Sequence, residues 1–256
     1  MIQQILDFAH GLAWEAGKVT DRYFRTGLDI ETKADKSPVT VADRETERMM
    51  RDAIQSRFPD HLIVGEEFGS SGPSDSDWRW YLDPIDGTKS FIYGSPLYGV
   101  MIGVLYRNQP VIGVINAPQT GEIIYAADGL GCFLNGRRVR VSDCKRLDEA
   151  MVLATYAHGY EAYGKAEPFN EILERCLHFR TWGDCYGYLM VASGRADVML
   201  DPILNPWDAA PLLPILGEAG GFFSDWKGQT IFDGGDGLAA NQHLREELLA
   251  ITAKAS

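Results

Sequence analysis

The stretch WYLDPIDGTKSFIYG, residues 80–94, marks an abrupt change in the chain. Trp78 to Leu82 reads as a strand, and the run Asp83-Pro84-Ile85-Asp86-Gly87-Thr88 interrupts it. Pro84 cannot extend a central strand, and Gly87 permits a sharp turn. Turned in this way, Asp83 and Asp86 point into one pocket with the Ile85 carbonyl between them, an oxygen set suited to a hard divalent cation. Thr88 would cap a helix beginning near Lys89, and its amide and that of Gly87 would face outward as an anion site. On spacing alone, an Asp-rich turn that merely caps a helix fits equally well.

Working outward, Ile2, Ile5, Leu6, Ala9, Leu12, Ala13, Ala16 and Val19 recur at three- and four-residue spacing, which predicts an amphipathic helix over 2–26 with Gly27 as its stop. A second helix is expected from Ala42 to Phe58, and a short strand from His61 to Gly65 leads into Glu66-Glu67. Residues 68–77 read as loop. From Leu97 to Leu134, short β-rich runs separated by Gly, Pro and Asn form an antiparallel meander. Beyond the polar connection 135–149, strands at 151–155, 196–200 and 238–240 alternate with helices at 166–177, 184–192, 208–219 and 242–253. That alternation favours an α/β half.

Composition narrows the function. The 256 residues hold 24 Lys+Arg against 36 Asp+Glu, a net charge of −12. Such a chain is no general polyanion binder, because sequence-independent nucleic-acid affinity comes from basic side chains. A phosphate would have to be held by a cation or by backbone amides. No apolar run reaches the ~20 residues of a membrane span. The N-terminus lacks a basic start followed by an apolar block, and Cys132, Cys144, Cys176 and Cys185 match no zinc spacing. A cytoplasmic protein with reduced thiols is expected.

The remaining carboxylates each admit a bland reading. Glu66-Glu67 could be two solvated loop residues, Asp43 a favourable charge at a helix start, and Asp208 in NPWDAAP a helix cap. Taken together, VTVAD (39–43), GEE (65–67), WYLDPIDGTKSFIYG (80–94), NPWDAA (205–210) and EAGG (218–221) resemble the magnesium-dependent, lithium-sensitive inositol monophosphatase-like phosphatases. The resemblance runs in order along nearly the whole chain. Pro211 departs from it, standing where the family usually has a small residue.

The resemblance implies an α/β (α+β) fold, a layered α-β-α-β-α sandwich of the inositol monophosphatase/sugar phosphatase type. Two subdomains are expected, 1–145 with an antiparallel sheet and most metal ligands, and 146–256 with Asp208 and the specificity residues. Two or three Mg²⁺ per active site are implied. Glu66, Asp83 and the Ile85 carbonyl would hold the first, and Asp83, Asp86 and Asp208 the second; Glu66 would reach a third, weaker ion with Glu67 nearby. The amides of Gly87 and Thr88 would bind phosphate oxygens, and Thr88 with Asp43 would form the dyad that positions the water. A homodimer is also implied. The polar arm at 31–41 is expected to order when metals bind.

The leaving group is read elsewhere. The segment RTWGDCYGY (180–188) and Asp201 line the substrate side in such enzymes, which makes Gly183, Asp184, Cys185 and Asp201 candidate substrate contacts. Two carboxylates with Trp182, Tyr186 and Tyr188 nearby suit a cationic leaving group. The stretch from Arg180 to Ala210 is similar to the histidinol-phosphate phosphatase branch, so the expected reaction is L-histidinol phosphate plus water to L-histidinol and phosphate. A broad inositol-1-phosphate phosphatase is the alternative, and a metal-dependent phosphate-ligand binding or regulatory protein is the alternative outside enzymes. No Lys/Arg cluster beside the motifs supplies the second phosphate site of a bisphosphatase.

Overall fold

The computed structural model describes residues 1–27, 29–32 and 38–255. In chain order, α1 (Ile2–Tyr23), β1 (Glu31–Thr32), β2 (Pro38–Val39) and α2 (Val41–Arg57) lead to β3 (Leu62–Gly65), β4 (Gly69–Ser71) and β5 (Trp78–Asp86). Then come α3 (Thr88–Ile92), β6 (Gly99–Tyr106), β7 (Gln109–Ala117), β8 (Glu122–Ala127), β9 (Gly131–Leu134) and β10 (Arg137–Arg138). The second half holds β11 (Met151–Ala154), α4 (Ala166–Arg175), β12 (His178–Arg180), α5 (Asp184–Ala192), β13 (Val198–Asp201), α6 (Pro206–Ala209) and α7 (Leu212–Glu218). It closes with β14 (Gly221–Ser224), β15 (Gly237–Asn241) and α8 (Arg245–Thr252).

Two main sheets result. One has eight strands in the order β10-β9-β8-β7-β6-β5-β3-β4, and the other has five in the order β12-β11-β13-β15-β14. The apolar stripe of α1 and Met50 and Ile54 of α2 cover one face of the larger sheet, against Trp80, Leu82, Val100, Ile102 and Val114. The opposite face presents Met101, Ile115, Ile124 and Ala126 to α5 and α7, whose far sides meet Leu153, Met199, Phe223 and Ala239 of the smaller sheet. Helices α4 and α8 cover that sheet's outer face through Phe169, Ile172, Leu248 and Ile251. The expected α-β-α-β-α layering is therefore present, with each layer buried by the stripe of its neighbours. Among the described residues no helix is long and apolar enough to cross a membrane.

Several elements differ from the sequence expectation. Strand β5 does not stop at Leu82. Its parallel partner β3 ends opposite Leu82, while β6 continues alongside, pairing Met101 with Asp83 and Gly99 with Asp86. The register shifts between those two pairs, a bulge that leaves Pro84 with no ladder bond to supply. Thr88 is the first residue of α3 rather than its cap, which is Gly87 in the left-handed region at φ 85°. The helix expected over 208–219 is split into α6 and α7 at Pro211, which has no N–H to continue the ladder. Of the expected arm, β1 pairs antiparallel with β2, and residues 33–37 lie outside the described residues.

The split helix lies close against the larger sheet. A Cβ on Gly103 would stand 2.9 Å from the Pro211 nitrogen, and one on Gly113 would overlap the Pro211 carbonyl. Side-chain-free positions in β6 and β7 therefore let the α6–α7 junction touch the sheet backbone. Asp208 is thereby brought over the end of β5.

Candidate metal centre and substrate pocket

The bulge in β5 and the close seating of α6 converge on one cluster. Carboxylate oxygens of Asp83, Asp86 and Asp208 lie within 4.8 Å of one another. Asp83 and Asp208 are buried and Asp86 is partly so. Burial pushes the Asp83 carboxyl well above the usual range, and the charges of Glu66, Asp86 and Asp208 add to it. Asp86 is raised by burial and then by Asp208, although the Cys185 N–H opposes the shift. Asp208 is pushed up to about 7 by burial, with Asn205 hydrogen bonds opposing and Glu66 adding. Carboxylates crowded in this way hold protons or a cation in order to coexist. The oxygen-only donor set fits a hard divalent ion.

Asp43 and Asp208 are placed by the same local device. Each is the third residue of a helix and closes a capping box. Asp43 Oδ2 accepts from the Thr40 N–H at 2.8 Å and from the Thr40 hydroxyl at 2.6 Å. Asp208 Oδ2 accepts from the Asn205 N–H at 2.9 Å and its side-chain amide at 3.3 Å. Capping and a role in the site thus coexist. The other oxygen of Asp43, Oδ1, is buried without a hydrogen-bond partner among the described residues. Burial pushes the Asp43 carboxyl up to about 6 against the Thr40 bonds, and Glu66 adds to the rise.

Thr88 Oγ donates to the Ile85 carbonyl at 3.1 Å, while the Ile85 N–H donates to Asp83 Oδ1 at 2.9 Å. The Ile85 carbonyl keeps a second lone pair. No direct hydrogen bond joins Thr88 to Asp43 among the described residues. Glu66 lies close enough to raise Asp43, Asp83 and Asp208 together. The field of Glu67 reaches Arg44.

A cavity of about 660 Å³ opens beside the cluster, lined by Asp86, Gly87, Thr88, Asp184, Cys185, Asp201 and Asp208 among others. Asp184 opens α5 at φ 51°, a left-handed conformation that Asp tolerates better than most residues. Its N–H donates to Thr155 Oγ at 3.0 Å, and Ser90 Oγ lies 3.5 Å from its carboxylate. Burial pushes the Asp184 carboxyl up to about 8, with Asp86 adding and Lys89 opposing. Asp201 accepts from the Tyr188 hydroxyl at 2.9 Å. Burial raises it to about 7 against hydrogen bonds from Thr155 and Tyr188, and Asp184 adds to the rise.

Sequence reasoning misplaced part of the aromatic wall. Trp182 is exposed, and Tyr186 donates to Glu122 at 2.9 Å; neither lines the cavity. Tyr156 and Tyr163 line it instead, together with Tyr188 and Thr155. Thr155 ends the strand that sequence patterning had located, but nothing in its type marked it as the link between Asp184 and Asp201. Gly183 does not line the cavity. It is buried, and a Cβ there would overlap the Thr155 backbone.

The profile of the Inositol monophosphatase family matches residues 1–256. A histidinol-phosphatase of Chlorobaculum parvum is 43% identical over 247 residues, covering 96% of this chain and 95% of its own length. A fructose-1,6-bisphosphatase/inositol-1-monophosphatase of Aquifex aeolicus is 33% identical, covering 88% of this chain and 86% of its own. The structure of an inositol monophosphatase from Zymomonas mobilis superimposes with a TM-score of 0.88 at 33% identity, covering 99% of both chains.

Proposed function

The chain belongs to the inositol monophosphatase family of metal-dependent phosphomonoesterases, and we propose that its substrate is L-histidinol phosphate, hydrolysed with Mg²⁺ to L-histidinol and phosphate. One observation carries this reading: the cavity beside the metal cluster is walled by two carboxylates, Asp184 and Asp201, and by the rings of Tyr156, Tyr163 and Tyr188. A neutral polyol gains little from that wall. A leaving group with a primary amine and an imidazole gains ion pairing and ring contact. The similarity to the Chlorobaculum histidinol-phosphatase supports the same choice.

Asp83, Asp86 and Asp208, joined by Glu66 and the Ile85 carbonyl, would hold two or three Mg²⁺. When bound, such ions neutralise phosphate charge and make a water acidic enough to attack at neutral pH. The protein's own groups then position the partners, which is most of what phosphoryl transfer asks of an enzyme. The N–H groups of Gly87 and Thr88, at the head of α3, would contact phosphate oxygens. Asp43 Oδ1 would accept a hydrogen bond from the attacking water, with Oδ2 fixed by Thr40. Asp184 and Asp201 would hold the cationic end, so the scissile bond lies between the two acidic groups of residues.

Phosphate release from L-histidinol phosphate and from myo-inositol 1-phosphate, each with Mg²⁺ and with EDTA, tests the proposal. A Mg²⁺-dependent preference for histidinol phosphate supports it. Preference for the inositol ester returns the chain to the broad inositol-phosphatase reading. No Mg²⁺-dependent release from either would leave a ligand-binding role.

A further inference from the structure

Helix α2 carries a charged stripe of which the roles above use only Asp43. Asp43, Glu47 and Arg51 follow one another at four-residue spacing and therefore share a face. Glu47 is fully buried. Its Oε2 accepts from the Glu67 N–H at 2.7 Å, and its Oε1 accepts from the Phe68 N–H at 3.2 Å and from Arg51 Nε at 2.7 Å. Arg51 continues outward, donating to Ser71 Oγ at 2.8 Å and to the Gly69 carbonyl. The preceding amide, that of Glu66, donates to the Leu82 carbonyl at 3.1 Å, one residue before Asp83. Three successive N–H groups of the turn are therefore fixed, one by β5 and two by α2. Gly65 completes the fit, since a Cβ there would overlap the Glu47 carboxylate.

We propose that Glu47 is a positioning residue of the metal centre, a buried carboxylate that holds the backbone of the Glu66-Glu67 turn so that Glu66 faces Asp83 and Asp208. A buried charge with no site function is costly, and an apolar side chain of similar size would pack α2 at least as well. What an apolar side chain could not do is accept two adjacent backbone N–H groups. Arg51 Nε donates to Oε1 beside the Phe68 N–H, so both oxygens of the carboxylate are held and aimed at the turn. Because Asp43 lies one helical turn away on the same face, the stripe also fixes its spacing to Glu66.

The assignment rests on the metal reading of Asp83, Asp86 and Asp208. It is tested by Mg²⁺ titration calorimetry of the metal-stripped full chain, with thermal melting in EDTA alongside. Glu47→Gln keeps the volume but accepts only through one oxygen. Glu47→Gln/Arg51→Met removes both charges and avoids leaving Arg51 unpaired in the core. Both variants are expected to weaken Mg²⁺ binding about 10- to 100-fold, as loss of an outer-shell partner does. The double variant is expected to melt in EDTA close to wild type. In a Glu66→Gln background the effect of Glu47→Gln on Mg²⁺ affinity should vanish. A double variant that binds Mg²⁺ within about twofold of wild type, or the failure of both variants to fold in EDTA, would overturn the assignment. Wild-type protein that binds no Mg²⁺ would overturn the metal reading itself.

Discussion

The backbone N–H of Cys185 donates to Asp86 Oδ2, so the first turn of α5 is tied directly to the carboxylate cluster at the end of β5. The residue before Cys185 is Asp184, which faces the substrate cavity. In the proposed reading, phosphate chemistry and leaving-group recognition would thus be one residue apart on α5, yet would rest on different carboxylates that mutation can separate.

Asp83→Asn should lower Mg²⁺ affinity by more than the roughly 10–100-fold typical of an outer-shell loss, and turnover should fall with it. The metal-free variant should nevertheless melt higher than metal-free wild type. Asn retains the oxygen that accepts the Ile85 N–H and is neutral without having to take up a proton in a crowded, buried group. Calorimetry with and without Mg²⁺ reads both effects. A metal-free melting temperature below that of wild type would contradict the repulsion argument.

Asp184→Asn should raise KM for histidinol phosphate by about 10- to 100-fold, the equivalent of ~1.5–3 kcal/mol for a hydrogen bond to a charged group. Mg²⁺ affinity should stay near wild type, and hydrolysis of the inositol ester should not suffer. Asn is a cleaner replacement than Ala because position 184 sits at φ 51°. Loss of Mg²⁺ affinity as severe as in Asp83→Asn would show that the metal and specificity sites are not separable.

Metal-free protein should lose thermal stability as pH rises. Asp43, Asp201 and Asp184 are raised to about 6, about 7 and about 8 in the fold, from roughly 3.9 in the unfolded chain. The folded state therefore binds more protons than the unfolded state across that window. Stability is greatest near its acid end and falls as pH climbs through the folded values. Glu31, Asp148 and Glu171, held low by basic partners, act oppositely in the more acidic range where ordinary carboxylates titrate, and His10 and His61, lowered by burial, oppose the three aspartates below about pH 6.5. Melting temperatures in EDTA should thus decline from about pH 5 to about pH 8, and saturating Mg²⁺ should flatten the slope. A flat or rising profile in EDTA would count against the buried-carboxylate account.

Gly183→Ala should cost stability of ~1–3 kcal/mol, the usual penalty of forcing a methyl into a packed site. The Cβ would overlap the Thr155 backbone and push the start of α5 away from the hydroxyl that holds Asp184. Urea unfolding and the ratio of KM values for the two esters check this together. A variant of unchanged stability with unchanged preference would show that the approach of Gly183 to Thr155 is unimportant.

Layer order was legible through the family resemblance, while local pattern by itself marked the stripe of α1, the meander of β6 to β9 and the DPIDGT run. The extent of β5 was not legible. Whether Pro84 ends a strand depends on which side its partners occupy, and β3 stops opposite Leu82 while β6 continues. Strand β14 was hidden because Gly220-Gly221 reads as a helix stop, although Phe222 and Phe223 then pair with Ala240 and Ala239. Tyr156 and Tyr163 escaped because they reach the cavity from a connection whose path is set by tertiary packing. Glu47 escaped because a Glu within a charged helix looks like a solvated face until its partners are known.

Helices α5, α6 and α7 form a party wall between the two sheets. The apolar cluster around them draws Met101 and Ile115 from one side and Met199 and Phe223 from the other, so neither half of the chain owns a complete interior. Asp208 rides on that wall and Asp83 on the sheet it faces. The two carboxylates meet only while the wall is mortared to both sides. Heating should therefore not melt one half and spare the other; loss of hydrolysis and loss of secondary structure should share a single midpoint.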